Sequence, residues 1–558
     1  MSFRSRPILL LAVLAILTAC SGAKPGDVPS TVSAAGLLGR ITDLSADSME
    51  GRGPGTRAEA KVVAYLTAQF RAIGAEPGNP DGSWTQPVEL VGFTAMPTME
   101  FHAGGKTIPM TFRDDYVAAS RREVPNVEVL NSDIIFVGYG VEAPEYQWDD
   151  FKRVDVKGKT IVILVNDPPV PDATDSTKLD AAMFRGTAMT YYGRWTYKFE
   201  EASRRGAAAA ILVHQTVPAG YPWSVVSGSW SGENMDVKHA DGNAERVAIE
   251  SWITYDKAKQ LFAAAGKDFD ALARSARARD FTPVRLGATA TIHLKNAVRA
   301  VHTRNVIAKL TGSDPALKQE YVVYTAHWDH LGIGQPVNGD SIYNGAVDNA
   351  AGTAALLELA KAFKALSPAP RRTILFLIVT AEEKGLLGAR FYAENPLYPL
   401  AKTLADFNLD GVNQWGRTTD LVVIGMGATT LEDVLDSVAT ARGRTLSPDP
   451  ESEKGFYYRS DHFEFAKQGV PAMFLDNGVN YIGKPAGYGK QKRDEYTAND
   501  YHKPSDEVKK DWDLSGAVED LDLLFNVGIR VANTTVWPAW KPGTEFKAIR
   551  EQMLQRTP

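Results

Sequence analysis

The sequence predicts an α/β fold: a mainly parallel mixed sheet with helices on both faces, plus a smaller α/β block inserted in mid-chain. Three observations predict it. From Arg304 onward, strand and helix patterns alternate, and such alternation builds a parallel sheet covered on both faces. The stretch 374–379, Ile-Leu-Phe-Leu-Ile-Val, is apolar on both faces of an extended chain, as central parallel strands are. The block 127–295 carries strands and helices enough for a core of its own.

The elements follow in order. Residues 21–31 are small, polar and proline-containing, and predict a tether. Residues 34–73 have helical spacing, broken by Gly51-Arg52-Gly53-Pro54-Gly55. Residues 86–99 and 107–112 read as strands. In the middle block, 133–138, 159–165, 206–213 and 288–294 are strand patterns, and 198–205 and 254–265 are helices. The last part holds strands at 321–325, 372–380, 405–409 and 471–475, and a helix over 352–366. No internal repeat interrupts this order.

At 558 residues the chain exceeds what one core organises, roughly 250–300 residues. A net charge of −6 argues against a nucleic-acid partner, which would call for a basic domain or patch. Arg4 and Arg6 precede an apolar run, 7–17, and small residues before Cys20; this is the pattern of a secretory signal. Cys20 is the only cysteine, so no disulfide forms within one chain. The pattern resembles a bacterial lipoprotein lipobox. That resemblance implies cleavage before Cys20, lipidation of its thiol and amine, and a place in the cell envelope, tethered to the membrane. No other stretch reaches the ~18 apolar residues of a spanning helix.

Ligands of open α/β sheets bind beyond the carboxyl ends of the strands. His327 and Asp329 follow the 321–325 strand. Asp348 precedes the helix at 352. Glu382 and Glu383 follow the central strand, Asp410 follows 405–409, and His462 precedes 471–475. Each alone has an ordinary explanation, as a helix cap, a turn residue or an acid at a helix start. Together, carboxylates and imidazoles converging on one edge would be costly to bury without a cation. Two histidines and three carboxylates with no cysteine nearby suit a catalytic zinc site. His214 and His239 stand alone and read as structural.

Thr325-Ala-His327-Trp-Asp329, Asn344-Gly-Ala-Val-Asp348-Asn-Ala-Ala-Gly, Thr380-Ala-Glu382-Glu383-Lys-Gly-Leu-Leu-Gly, Asn408-Leu-Asp410 and Ser460-Asp461-His462 together resemble the co-catalytic zinc aminopeptidases and carboxypeptidases of the M28 peptidase family. The block 127–295 is similar to the protease-associated domain inserted in several members. The resemblance implies a zinc-exopeptidase fold divided into a signal peptide (1–19), tether (20–31), first peptidase segment (32–126), inserted domain (127–295) and main peptidase segment (296–558). It implies two zinc ions per chain, one held by His327, Asp348 and Asp410, the other by Asp348, Glu383 and His462. Asp329 would hydrogen-bond the first histidine and fix its tautomer. Glu382 would be the general base on a zinc-bridging water. Peptides would be the substrates, cut most simply at the amino end. A carboxypeptidase gripping the terminal carboxylate through Arg459, a glutaminyl cyclase and an inactive receptor-like protein remain alternatives. Some members place a tyrosine just before the last histidine. Here Asp461 stands there, so Tyr457 or Tyr458 is left as the candidate and the oxyanion donor is unassigned.

Overall fold

The computed structural model describes residues 27–556. The lipobox, Cys20 and most of the tether lie outside them. Residues 27–31, expected in the tether, are docked on the body. Asp27 pairs with Arg442 and Arg530, and the Val28 N–H donates to Asn526 at 2.9 Å. No helix among the described residues is long and apolar enough to cross a membrane.

A 16-stranded sheet runs through the molecule. Its catalytic-side half centres on Tyr321–His327, which pairs in parallel with Thr373–Val379 on one side and Thr403–Asn408 on the other. Ala472–Asp476 continues the parallel run, and Asp420–Ile424 joins it antiparallel. Every residue of the first three strands is buried, which explains the apolar run 374–379 in the central one. Helices Ala34–Leu44, Arg57–Ile73, Gly352–Lys364 and Ser515–Asn533 supply the core of one face; Leu387–Glu394 and His462–Lys467 supply the other.

The interrupted pattern at 34–73 resolves into two capped helices. Ser33 and Thr56 accept the first-turn N–H groups, and Gly74 ends the second helix at φ 82°. Val62, Leu66 and Phe70 line the buried stripe of that helix. Phe70 lies 6.4 Å from the Trp84 ring and 6.2 Å from the Phe376 ring, so it ties helix to sheet. Phe70→Ala should cost about 3–5 kcal/mol by the cavity it leaves. Denaturant unfolding checks this, and a loss below about 1 kcal/mol would show that the site collapses.

Two long strands, Thr85–Ala103 and Val284–Leu310, pair antiparallel from Ala103↔Ala288 to Thr85↔Val306 and bridge the two halves. One end of Val284–Leu310 pairs with Thr373–Val379, the other with Asn126–Phe136. The second lobe adds Thr160–Leu164, Ala209–His214 and Ile249–Thr254 in parallel, with Tyr116–Ala119 antiparallel at the edge. Its core runs from Ala95 to Leu294 and includes Ile108 and Tyr116–Ala119. The lobe therefore starts earlier than the expected 127. Tyr116–Ala119 completes the edge of its sheet, and both cores share the two long strands. A short strand before a polar turn leaves no periodic signal long enough to assign it to the later block.

Candidate metal centre

The edge at the carboxyl ends of Tyr321–His327, Thr373–Val379 and Thr403–Asn408 carries the site. His327 ends its strand with the side chain 1% exposed. Its Nε2 lies 3.2 Å from Asp410 Oδ1, 3.5 Å from Asp348 Oδ1 and 3.8 Å from Glu382 Oε2. Its Nδ1 faces the backbone carbonyl of Asp329 at 3.1 Å, which turns Nε2 toward the carboxylates; burial lowers its proton affinity, but Glu382, Asp410 and Asp329 outweigh this and raise it well above the ordinary value. The hydrogen bond expected from the Asp329 carboxylate is not made, since Oδ1 is 3.8 Å away. That carboxylate instead accepts the backbone N–H groups of Glu382 (3.1 Å) and Glu383 (3.4 Å) and holds their turn.

The turn itself is sharp. Ala381 sits at φ 55°, a conformation that costs a non-glycine residue about 1–2 kcal/mol. Adjacent Glu382 and Glu383 consequently enter two different clusters. Glu382 joins His327 and Asp410; Glu383 joins His330 and Asp348, and within each set the candidate ligand atoms lie within 4.8 Å of one another. Burial raises the Glu382 carboxyl well above the usual carboxylate range; His327 opposes this, and Asp410, Glu383 and Asp461 reinforce it. Burial also pushes Asp329 up to about 6. For Glu383 the penalty of burial is outweighed by His502 and His330, which hold it well below its ordinary value.

Asp348 is presented by a loop pinned from three sides. Asp506 accepts the N–H groups of Val347 (3.0 Å) and Asp348 (3.1 Å). Asn349 accepts from Gly352 (2.8 Å) and Gly411 (2.9 Å) and donates to Leu409 O, tying this loop to the one bearing Asp410. Gly345 turns the loop at φ 57°, where an added Cβ would lie 2.1 Å from the Asp348 carbonyl. Asp410 in turn accepts from the Ser460 hydroxyl at 2.7 Å. Arg52, fully buried, donates to the carbonyls of Trp328, Leu44, Asn344 and Gly345 from behind the site. Its stretch had read only as a helix breaker. Arg52→Met strips four carbonyls of their donor, each worth about 1–3 kcal/mol when buried. The expected result is a loss of at least about 3 kcal/mol by denaturant unfolding; an unchanged midpoint would remove this role.

His462 is the one predicted ligand that the structure does not bring to Asp348 and Glu383. It starts helix His462–Lys467 with its ring against Tyr457 (4.7 Å) and Phe474 (5.0 Å). Burial pushes its imidazole down to about 3, so it is neutral. The second imidazole comes from His502, whose Nε2 lies 3.1 Å from Asp348 Oδ2 and 3.2 Å from Glu383 Oε2. Tyr501 stacks on it at 3.9 Å, and His330 Nδ1 meets Glu383 Oε1 at 2.6 Å. Sequence reasoning missed both histidines. Tyr501-His502 carried the signal: a tyrosine directly before the last histidine, which Asp461-His462 lacks. Asp461 is fully buried, its carboxyl raised by burial despite His327, with Asp410, Asp329 and Asp406 adding to the rise.

The centre opens into a cleft of about 570 Å³ between the lobes, lined by Glu382, Glu383 and His502 on one side and by Arg121, Trp195 and Asp236 of the second lobe on the other. The donor set fits a divalent cation with oxygen and nitrogen ligands: crowded carboxylates, and imidazoles whose nitrogens point at them.

Residues 305–525 match the profile of Peptidase family M28, a stretch that contains every residue of this centre. Over 178 residues the chain is 28% identical to "Leupeptin-inactivating enzyme 1" of Streptomyces exfoliatus, covering 32% of this chain and 36% of that protein. Over 112 residues it is 35% identical to "Probable zinc metalloprotease" of Pyrenophora teres f. teres, covering 20% and 23%. The chain thus spans about a third or less of the length of these relatives. Among solved structures it is similar to the aminopeptidase from Aneurinibacillus sp. strain AM-1, with 19% identity, TM-score 0.46 and coverage of 92% of this chain and 95% of that one.

Proposed function

We propose that the chain is a zinc-dependent exopeptidase that trims short peptides, as an aminopeptidase. The observation that carries this reading is the convergence of two donor groups, His327 with Glu382 and Asp410 and His330 with Asp348 and Glu383, joined by His327 Nε2 near Asp348 and by His502 Nε2 against Asp348 and Glu383. The M28 profile match and the relatives named as a leupeptin-inactivating enzyme and a probable zinc metalloprotease support the same class. His327, Asp348 and Asp410 would hold one zinc, and Asp348, Glu383 and His502 the other. When bound, the two ions supply Lewis-acid polarisation of a carbonyl and acidification of water.

The chain's own residues do the rest. Glu382 has a raised proton affinity and a side chain 11% exposed toward the cleft, the properties of a group that takes a proton and returns it to a leaving amine. Asp329 holds the Glu382 N–H and so aims that carboxyl. Tyr501 stacks on His502 and feels the charges of Asp348, Glu383, Glu382 and Asp410. Partial burial and these carboxylates keep it protonated, so it can donate a hydrogen bond to a developing oxyanion. The second lobe narrows the cleft, which favours peptide ends over folded chains. We also propose that Cys20 anchors the protein by lipid at the cell envelope.

The test is end-trimming of a mixed peptide library by the zinc-loaded chain, read by mass spectrometry. Ladders shortened from the amino end are expected. Ladders from the carboxyl end would establish the second reading, a carboxypeptidase, which the cationic side chains of the cleft favour. No trimming with two zinc ions bound would remove the peptidase reading.

A further inference from the structure

Most charged side chains of the cleft are paired. Asp236 meets Arg246 and Arg390, each at 2.9 Å; Arg121 meets Glu250 at 2.9 Å; Lys467 meets Glu200 at 2.9 Å. Arg194 and Arg459 are different. Among the described residues neither forms an ion pair with a carboxylate. Arg194 is 9% exposed, and its Nε has no hydrogen-bond partner. Burial pushes its guanidinium down to about 10, the charge of Arg459 adds to this, and the phenols of Tyr221, Tyr191 and Tyr458 oppose it. Arg459 donates to the Lys454 carbonyl at 2.6 Å and lies over the Phe456 ring, with its Nε unpartnered. Both arginines line the cleft that holds Glu382, Glu383 and His502.

A third feature points the same way. Helix Trp195–Arg204 starts directly after Arg194, and no side chain caps its first turn. Trp195 and Thr196 line the same cleft. Free N–H groups at a helix start attract anions. Two guanidinium groups that line one cleft, Arg194 buried and Arg459 half-buried, repel each other unless an anion joins them. A guanidinium fork matches the two oxygens of a carboxylate, a geometry an ammonium lacks.

We propose that Arg194, Arg459 and the first turn of Trp195–Arg204 form a carboxylate-binding subsite, so that the preferred substrates are short peptides presenting a carboxylate to this end of the cleft. This rests on the peptidase reading. It deepens that reading by naming the substrate class. The carboxylate comes either from the free carboxyl terminus of a short peptide or from an acidic side chain.

Three peptides separate the sources: Leu-Ala-Ala, its carboxyl-terminal amide, and the amide of Leu-Ala-Glu. With the zinc-loaded protein, amidation should lower kcat/KM by at least about tenfold, chiefly through KM, as loss of a charge-assisted hydrogen bond does. Arg194→Met and Arg459→Met should each bring the acid-to-amide ratio of kcat/KM toward one, and a ratio unchanged in both variants would overturn the subsite. Recovery with the Glu-containing amide assigns the subsite to acidic side chains and supports it. Equal rates for acid, amide and Glu-containing amide would overturn it. Calorimetry with Glu382→Ala reads the subsite without turnover. Tighter binding of either carboxylate peptide than of the plain amide supports it, and equal affinities overturn it. A wild-type protein that cleaves none of the three removes the peptidase reading, while calorimetry still decides the subsite.

Discussion

Glu382→Ala is expected to keep two zinc ions per chain and to lose about 10²–10⁴-fold in kcat, the usual contribution of a positioned acid–base group. The carboxyl stands at the border of two roles. Its Oε2 lies 3.8 Å from His327 Nε2, and with His327 and Asp410 it could itself hold a cation. Metal analysis separates the roles. A base that binds no metal leaves stoichiometry and affinity unchanged when removed, whereas a ligand takes its ion with it. Glu382→Gln keeps the shape and one hydrogen-bond acceptor, so it should be as inactive as the alanine variant if proton transfer is the function. Turnover within tenfold of wild type in both variants would end the assignment.

His502→Ala should lower the bound zinc from two ions toward one, while His462→Ala keeps both. The structure places His502 Nε2 against Asp348 and Glu383, and His462 between two aromatic rings. Removal of a direct ligand costs at least the 10–100-fold in affinity that loss of a supporting group does. His462→Ala should instead act on stability, by about 1–3 kcal/mol, as loss of a buried ring does. Full zinc content in His502→Ala, or loss of one ion in His462→Ala with unchanged unfolding, would return the assignment to His462. His330 is a further position to watch. Its Nδ1 reaches Glu383, so His330→Ala should shift the orientation of that carboxylate more than its metal count.

The strand ends were legible because a strand is a local pattern. A buried parallel strand is an apolar run, and the first polar residues after it must lie at the carboxyl edge. His327, Glu382, Glu383 and Asp410 were found this way, and Asp348 by its place before a long helix. His502 follows helix Tyr488–Asn499 in an irregular loop. Nothing local says that such a loop folds back over the sheet edge; Asp506, which accepts from the Asp348 loop, and His502 itself, against Asp348 and Glu383, hold it there. His462 was misplaced for the converse reason. It precedes a strand of the right sheet, but the first turn of its helix points the ring into the apolar cluster of Tyr457, Phe463 and Ala472. Arg52 was legible only as part of a glycine-rich break, because its four carbonyl partners come from segments distant in sequence.

The sequence by itself determined the α/β class, the central strands and which carboxylates and which first histidine gather at the carboxyl edge of the sheet, since these follow from short-range patterning. Tertiary structure alone decided which histidine lies against Asp348 and Glu383, what Asp329 holds, where the second lobe begins and which arginines line the cleft without an ion pair among the described residues. Each of these depends on contacts between segments far apart in the chain. Such contacts are selected by packing and burial of the whole fold, and leave no periodic trace in the residues that make them.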